Sequence, residues 1–263
     1  MRLTHATFPS MRRTLVNTSN TSALARGLHV LRELVDEGSP LTATEIARRI
    51  GVHQSSVSRI LATLTEVGYV RKTPDRRFAP DFGVLSLMSA TTWFPLIRKP
   101  RAAMEAISSA HPGLDVTLCV LWRGEMIYFL RTGSTIGTVD FGAGFPVHLS
   151  APGLRMLVDL PENEALEILR QSRNRYGWSG TAAVPATEEE VLAFARANVE
   201  YDVLVVSEWG FAGMVGAAIP IKTDEDHPVA LALTGDVGIA DPPTLRLWLH
   251  DARRVVEASL AAR

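Results

Sequence analysis

A single cysteine, Cys119, in 263 residues excludes an intramolecular disulfide and a zinc–thiolate cluster. It sits in the apolar run DVTLCVLW, where a small buried hydrophobe is expected. Nothing nearby supplies the positive charge or exposure that a reactive thiol needs. No apolar stretch reaches the ~20 residues that cross a bilayer. The first twenty residues mix Arg, Thr, Ser and Asn without the apolar centre of a signal peptide. A cytoplasmic protein without a membrane partner is expected, with a disordered leader over 1–20. Catalytic signatures are missing too: no G-x-S-x-G elbow, phosphate-binding loop, dinucleotide fingerprint or H-E-x-x-H occurs. The sequence therefore points to no catalytic residue, no metal and no cofactor. An excess of one charge sign is also lacking, with 27 Lys+Arg against 28 Asp+Glu. The average hides a split, because residues 1–80 hold 12 basic against 6 acidic side chains and the remainder 15 against 22. The field that attracts polyanions is thus concentrated in the first third.

That third carries the most informative segment, LTATEIARRIGVHQSSVSRILATLTEVGYVRKTPDRRFAPDF, residues 41–82. Thr42 and Glu45 have the T-x-x-E spacing of a capping box, and Leu41 with Ile46 can close a hydrophobic staple. The helix they start should end at Gly51. A second helix from about His53 places Val57, Ile60, Leu61, Leu64 and Val67 on one face. Its other face offers Ser55, Ser58, Arg59 and Ala62, short or basic groups that suit a major groove. A preceding helix over 22–36 uses Leu24, Leu28, Leu31, Leu34 and Val35, giving a three-helix DNA-binding core. YVRKTPDRRFAP then alternates as two short strands about Thr73-Pro74-Asp75, a basic hairpin placed as a wing.

Beyond the wing, residues 83–92 read as a short helix joining two domains, interrupted at Phe94-Pro95, and a further helix spans about 97–110. LDVTLCVLW and EMIYFLRTG form a hairpin about Arg123-Gly124. Helical patterns return at 152–160, 162–172 and 188–199, strand-like runs near 201–206, 213–221 and 228–234, and a last helix uses Leu245, Leu247, Trp248, Leu249, Val255, Val256 and Leu260. This order is α+β, with an antiparallel sheet of five or six strands and helices packed on it.

The chain resembles the IclR family of bacterial transcription regulators. The likeness rests on SALARGLHVLRELVDEGSPLTATEIARRIGVHQSSVSRILATLTEVGYVRK, on FPVHLSAPGLRMLVDLP, which is similar to the family's P-x-H-x-(T/S)-A-x-G-K-A stretch, and on GMVGAAIPI followed by VALALTGD. The resemblance implies an N-terminal winged helix-turn-helix at 21–82, a linker helix at 83–96 and a GAF-like effector-binding domain at 97–263. It also implies dimers or pairs of dimers that recognise operator DNA and respond to small organic acids or aromatic compounds. Two departures stand in the second motif: Leu154 and Arg155 follow Gly153 where the family has lysine, and Pro152 replaces a small residue.

Candidate DNA contacts are Gln54, Ser55, Ser56, Ser58 and Arg59 on the recognition helix, Thr42 and Thr44 at the preceding helix start, and Arg76 and Arg77 on the wing. Gln pairs with adenine and Arg with guanine through two hydrogen bonds, each pair worth about 1–3 kcal/mol of discrimination. Ser56 could equally cap its helix, and Arg59 could pair with Glu66 or Glu45 instead of DNA. A homodimer would read two half-sites roughly 34 Å apart, through the helix at 22–36, the linker and the segment 94–110, with Trp93 and Phe94 covered.

The expected effector site lies between the sheet and residues 141–155. Ser150, Ala151 and Gly153 would cradle a carboxylate at a helix N-terminus. Phe129, Phe141, Phe145 and Met214 would give apolar walls, and Thr234 a polar contact, with core packing the alternative for Phe129, Phe145 and Met214. His148 reads as a buried, hydrogen-bonded or pocket-lining histidine rather than a catalyst. The competing functions are a hydrolase with a DNA-binding appendage, which needs Ser150 within reach of His148, and an effector-independent DNA-binding protein.

Overall fold

The computed structural model describes residues 22–133 and 142–262, so the expected leader and Phe141 lie outside the described residues. The chain divides into two compact units, Met1–Trp93 and Phe94–Arg263. In the first, α1 (Ala23–Glu37) begins at Ser22, whose side chain accepts from the Ala25 amide, and ends at Gly38 in the left-handed region. α2 (Ala43–Ile50) carries the full capping box between Thr42 and Glu45, and Gly51, at φ 67, closes it with its N–H on the Ala47 carbonyl. α3 spans Gln54–Glu66. Strands β1 (Val70–Lys72) and β2 (Phe78–Pro80) pair antiparallel as the wing, and Leu41 bridges to Phe78. Val30, Leu34, Leu41, Ile46, Val57, Leu61 and Val70 form the core.

The helical periodicity of α1 covers more than its buried face. Val30 and Leu34 point inward, whereas Leu24, Leu28 and Val35 are exposed, as is Val67 at the end of α3. Asp81 caps α4 (Phe82–Met88), which tightens into a 3₁₀ turn over Ser89–Trp93.

In the second unit, the helix expected over 97–110 is divided into α5 (Pro95–Arg98) and α6 (Arg101–Ala110). Pro100, at the junction, supplies no N–H to continue the ladder. The sheet has seven strands, not five or six, all antiparallel in the order β5-β4-β3-β9-β8-β7-β6. The members are β3 (Asp115–Trp122), β4 (Glu125–Thr132), β5 (Gly142–Phe145), β6 (Val199–Glu200), β7 (Val203–Ser207), β8 (Met214–Ile221) and β9 (Val229–Asp236). The two unexpected ones are the edges: β5 is glycine-rich and β6 has two residues, so neither shows an alternating pattern. Arg123 and Gly124, at φ 51 and 75, make the β3–β4 turn in the conformation that tight hairpins require.

One sheet face packs against α6 and α10 (Pro242–Ala261) through Leu118, Leu130, Ile219, Leu231, Leu249 and Val256. The other packs against α7 (Ala151–Val158), α8 (Glu162–Tyr176) and α9 (Glu188–Ala197) through Cys119, Met126, Leu154, Leu157, Leu169 and Val191. Cys119 is the buried hydrophobe its setting suggests, and burial pushes its thiol pKa up.

Candidate functional site

Burial of Val57 and Leu61 fixes the rotation of α3 and turns Gln54, Ser55, Ser58 and Arg59 to solvent on one face. Ser56 is half-buried at the third helical position and His53 occupies the cap position, so Ser56 does not cap α3. His53 gives no side-chain cap. Its carbonyl receives the amides of Ser56 and Val57. Arg59 forms no ion pair among the described residues. Glu45, one of its two alternative partners, is engaged elsewhere. One Glu45 oxygen accepts from the Thr42 amide at 2.7 Å, the Thr42 hydroxyl at 2.8 Å and Arg77 at 3.1 Å. Those Thr42 hydrogen bonds, backbone first, and then Arg77 and Arg49 hold the Glu45 carboxyl below its ordinary range.

The other candidates divide by how far they are occupied. Thr44 is exposed at the start of α2, while the Thr42 hydroxyl is committed to the capping box. On the wing, Arg71, Lys72 and Arg76 are exposed, with Arg76 held at φ 65 in the turn. Arg77 is half-buried and directed inward, to the Pro40 carbonyl at 3.2 Å, Glu45 and Asp75. The structure thus presents Gln54, Ser55, Ser58, Arg59, Thr44 and Arg76 together with two further basic side chains, and withdraws Arg77 and the Thr42 hydroxyl.

On the sheet face that meets α7, Ser150 caps the helix by accepting from the Gly153 amide at 3.0 Å, and its hydroxyl lies 2.8 Å from that of Tyr128. Burial raises the Tyr128 phenol pKa. Phe145 meets the Tyr128 ring edge-on at 6.0 Å. Gly216 and Thr234 are register partners on β8 and β9, and a Cβ on Gly216 would lie 3.3 Å from Ala151 and 4.0 Å from the Thr234 hydroxyl. A side chain there would crowd Ala151, so α7 comes close to the strands at this point. Met214 is half-buried two residues earlier on β8. Phe145, Ser150, Ala151, Gly153, Met214 and Thr234 therefore share one side of the sheet.

Phe129 does not join them. Strand alternation puts it on the opposite face, in the core with α6 and α10. A bulge between Leu118 and Cys119 follows: Tyr128 pairs with Cys119, Leu130 with Leu118 and Arg131 with Thr117. The bulge moves Arg131, absent from the sequence-based site, onto the α7 face with Tyr128 and buried Thr117. Strict alternation would have placed Leu130 there, so the pattern gave no signal for Arg131. Its Nε is buried without a hydrogen-bond partner among the described residues, and its guanidinium lies 5.9 Å from the Tyr128 ring centre.

His148 is fully buried and stacked on Trp178 at 4.1 Å, with Nε2 2.9 Å from the Ser179 carbonyl. Burial foremost, with Arg173 adding to it, lowers its pKa; the Ser179 hydrogen bond and Glu188 act in the opposite sense. Ser150 and His148 do not hydrogen-bond to each other, so a nucleophile–base pair is not assembled. Among the described residues no group of His, Cys, Asp and Glu side chains is arranged to hold a metal ion, and no helix is long and apolar enough to cross a membrane.

Residues 23–74 match the family model of the IclR helix-turn-helix domain. The chain is 30% identical over 167 residues to the HTH-type transcriptional regulator TsaQ1/TsaQ2 of Comamonas testosteroni, a match covering 61% of this chain and 59% of that relative. An IclR family transcriptional regulator from Brucella abortus shares the fold, with TM-score 0.74, 22% identity and coverage of 91% and 90% of the two chains. So does an IclR homolog from Microbacterium hydrocarbonoxydans crystallised with 4-hydroxybenzoate, with TM-score 0.70, 20% identity and coverage of 92% and 100%. Residues 23–74 thus match the IclR helix-turn-helix domain, and the chain as a whole shares the fold of IclR family transcription regulators, while spanning 59% of the length of the TsaQ1/TsaQ2 relative.

Proposed function

We propose that the protein is a ligand-responsive transcription regulator of the cytoplasm, binding operator DNA as a homodimer under the control of a small organic acid. The observation that carries the DNA reading is the outward face of α3, where Gln54, Ser55, Ser58 and unpaired Arg59 are held by the burial of Val57 and Leu61. The N-terminal residues of such a helix reach base edges in a major groove, while Thr44 and Arg76 supply phosphate contacts that set position. The dimer reading rests on apolar side chains left in water by a single copy: Leu24 and Leu28 on α1, Phe82 and Leu85 on α4, and Trp93.

The effector reading rests on Arg131 and α7. A guanidinium whose buried Nε has no hydrogen-bond partner among the described residues, close to an aromatic ring, is suited to a planar carboxylate. The side chains of Phe145 and Met214 supply apolar contacts and Thr234 a hydroxyl on the same sheet side. The 4-hydroxybenzoate complex of the Microbacterium relative supports an aromatic acid as the first class to test. Isothermal titration of the full-length protein with 4-hydroxybenzoate, benzoate and short aliphatic acids tests this reading. Loss of a charge-assisted pair, about 1.5–3 kcal/mol, should weaken binding roughly ten- to a hundredfold in Arg131→Gln. A ligand whose affinity is indifferent to Arg131→Gln would place its carboxylate elsewhere.

A further inference from the structure

We infer that Arg77 positions the wing against the helix-turn-helix rather than contacting DNA, and that Glu45 is the shared anchor of both elements. The inference rests on the DNA-binding reading above and concerns how the reading head is held in shape.

The geometry is specific at each end of the Arg77 side chain. Its backbone is clamped where the wing loop closes: the Thr73 amide donates to the Arg77 carbonyl at 2.8 Å, and the Thr73 hydroxyl lies 3.1 Å from the Arg77 amide and 3.0 Å from its carbonyl. The next residue, Phe78, exchanges two backbone hydrogen bonds with Leu41, at 2.7 and 2.9 Å. The base of the wing is thereby fixed beside Pro40 and Leu41, just ahead of α2. From that base the guanidinium spans three acceptors on two elements: the Pro40 carbonyl at 3.2 Å, Glu45 at 3.1 Å and Asp75 at 3.4 Å. The Glu45 oxygen that receives it also receives the Thr42 amide and hydroxyl. The α2 capping box and the wing brace therefore meet on a single carboxylate oxygen.

A planar fork suits this task and an ammonium does not, because three acceptors in different directions need several fixed donors. Nη1 and Nε are thereby committed within the protein and only Nη2 is left for a phosphate, whereas Arg76 one residue earlier is exposed. The pair is only partly shielded, with side-chain exposures of 39% for Arg77 and 36% for Glu45, so its effect on overall stability is small. Its effect on DNA binding comes through the position of the wing.

The test measures operator affinity against salt for the full-length protein, using a duplex selected by that protein from a random library. A residue that neutralises one phosphate contributes about 0.9 to the slope of log affinity on log salt. Arg76→Gln should lower the slope by about that amount. Arg77→Gln should weaken binding several-fold with the slope unchanged, and Arg77→Lys should not rescue it. Glu45→Gln retains a side chain able to complete the capping box while removing the charge that holds Arg77. It should weaken binding like Arg77→Gln, and the double variant should lose no more than either single one. The inference is overturned if Arg77→Gln lowers the slope by about one, if Arg77→Lys restores affinity, or if Glu45→Gln tightens binding by releasing Arg77. A wild-type protein that selects no duplex would instead defeat the DNA-binding reading beneath it.

Discussion

Replacement of Leu61 by alanine should strongly destabilise the DNA-reading unit while leaving the stability of the sheet unit unchanged. Leu61 has no exposed surface and lies in a core with Val30, Leu34, Ile46 and Val57. The change removes three buried carbon groups at about 0.8 kcal/mol each. The cavity left in a close-packed core adds to that, for a total of about 3–4 kcal/mol. A unit spanning roughly seventy residues holds about 4–10 kcal/mol at the usual 0.05–0.15 kcal/mol per residue, so this one change removes a third or more. The tryptophans let the two units be followed separately in the full-length protein. Trp122, Trp178, Trp209 and Trp248 lie in the sheet unit, and Trp93 is exposed at the end of the other. In a urea titration the early loss of helical circular dichroism should move to lower urea, with the main fluorescence transition unmoved. Val67→Ala, at an exposed site on the same helix end, should stay within about 0.5 kcal/mol of wild type. A Leu61→Ala cost below about 1 kcal/mol would refute the packing that orients α3.

Three further outcomes are expected. Arg59→Ala should cost about 1–3 kcal/mol and relax base preference at one position of each half-site, checked by repeating the duplex selection; an unchanged selected sequence would remove Arg59 from base readout. Leu28→Asp should drive the protein toward monomer in sedimentation velocity, because α1 would then present a charge where an apolar partner surface is expected; an unaltered sedimentation coefficient would move the interface elsewhere. The lowered pKa of His148 means that the unfolded chain binds its proton first as pH falls. Its stabilising contribution is complete above about pH 6.5, the ordinary histidine value, and is lost as pH drops below that through the folded-state value. Urea midpoints of wild type and His148→Gln should therefore converge on acidification, and parallel midpoints would show that His148 titrates normally.

Local signals made the reading head legible. The Thr42–Glu45 box, the Gly51 stop, the apolar face of α3 apart from exposed Val67, and the Thr73–Asp75 turn each act within a few residues, and each appears where the sequence places it. What could not be read depends on tertiary pairing. Charge and position marked Arg77 as a phosphate ligand, but Pro40 and Glu45 become its neighbours only when β2 folds back on Leu41. Arg131 escaped for a related reason: the bulge beside Cys119 resets the alternation of β4 beyond Phe129, and no residue type in EMIYFLRT announces it, whereas Phe129 follows ordinary alternation into the core, the alternative its sequence left open. The edge strands escaped because two residues of β6 and a glycine-rich β5 have no period to detect. His148 was legible in kind, as a buried and hydrogen-bonded ring, although its Trp178 stacking partner comes from a distant loop.

The proposed regulation requires that occupancy of the α7 face change how α3 binds DNA. Fluorescence anisotropy of a labelled selected duplex, titrated with the full-length protein with and without a saturating bound acid, tests it directly. The acid should shift operator affinity by about fivefold or more, the low end of a coupling of roughly 1–3 kcal/mol, and Arg131→Gln should abolish the shift while leaving acid-free affinity intact. Superimposable binding curves with and without an acid known to occupy the protein would contradict it.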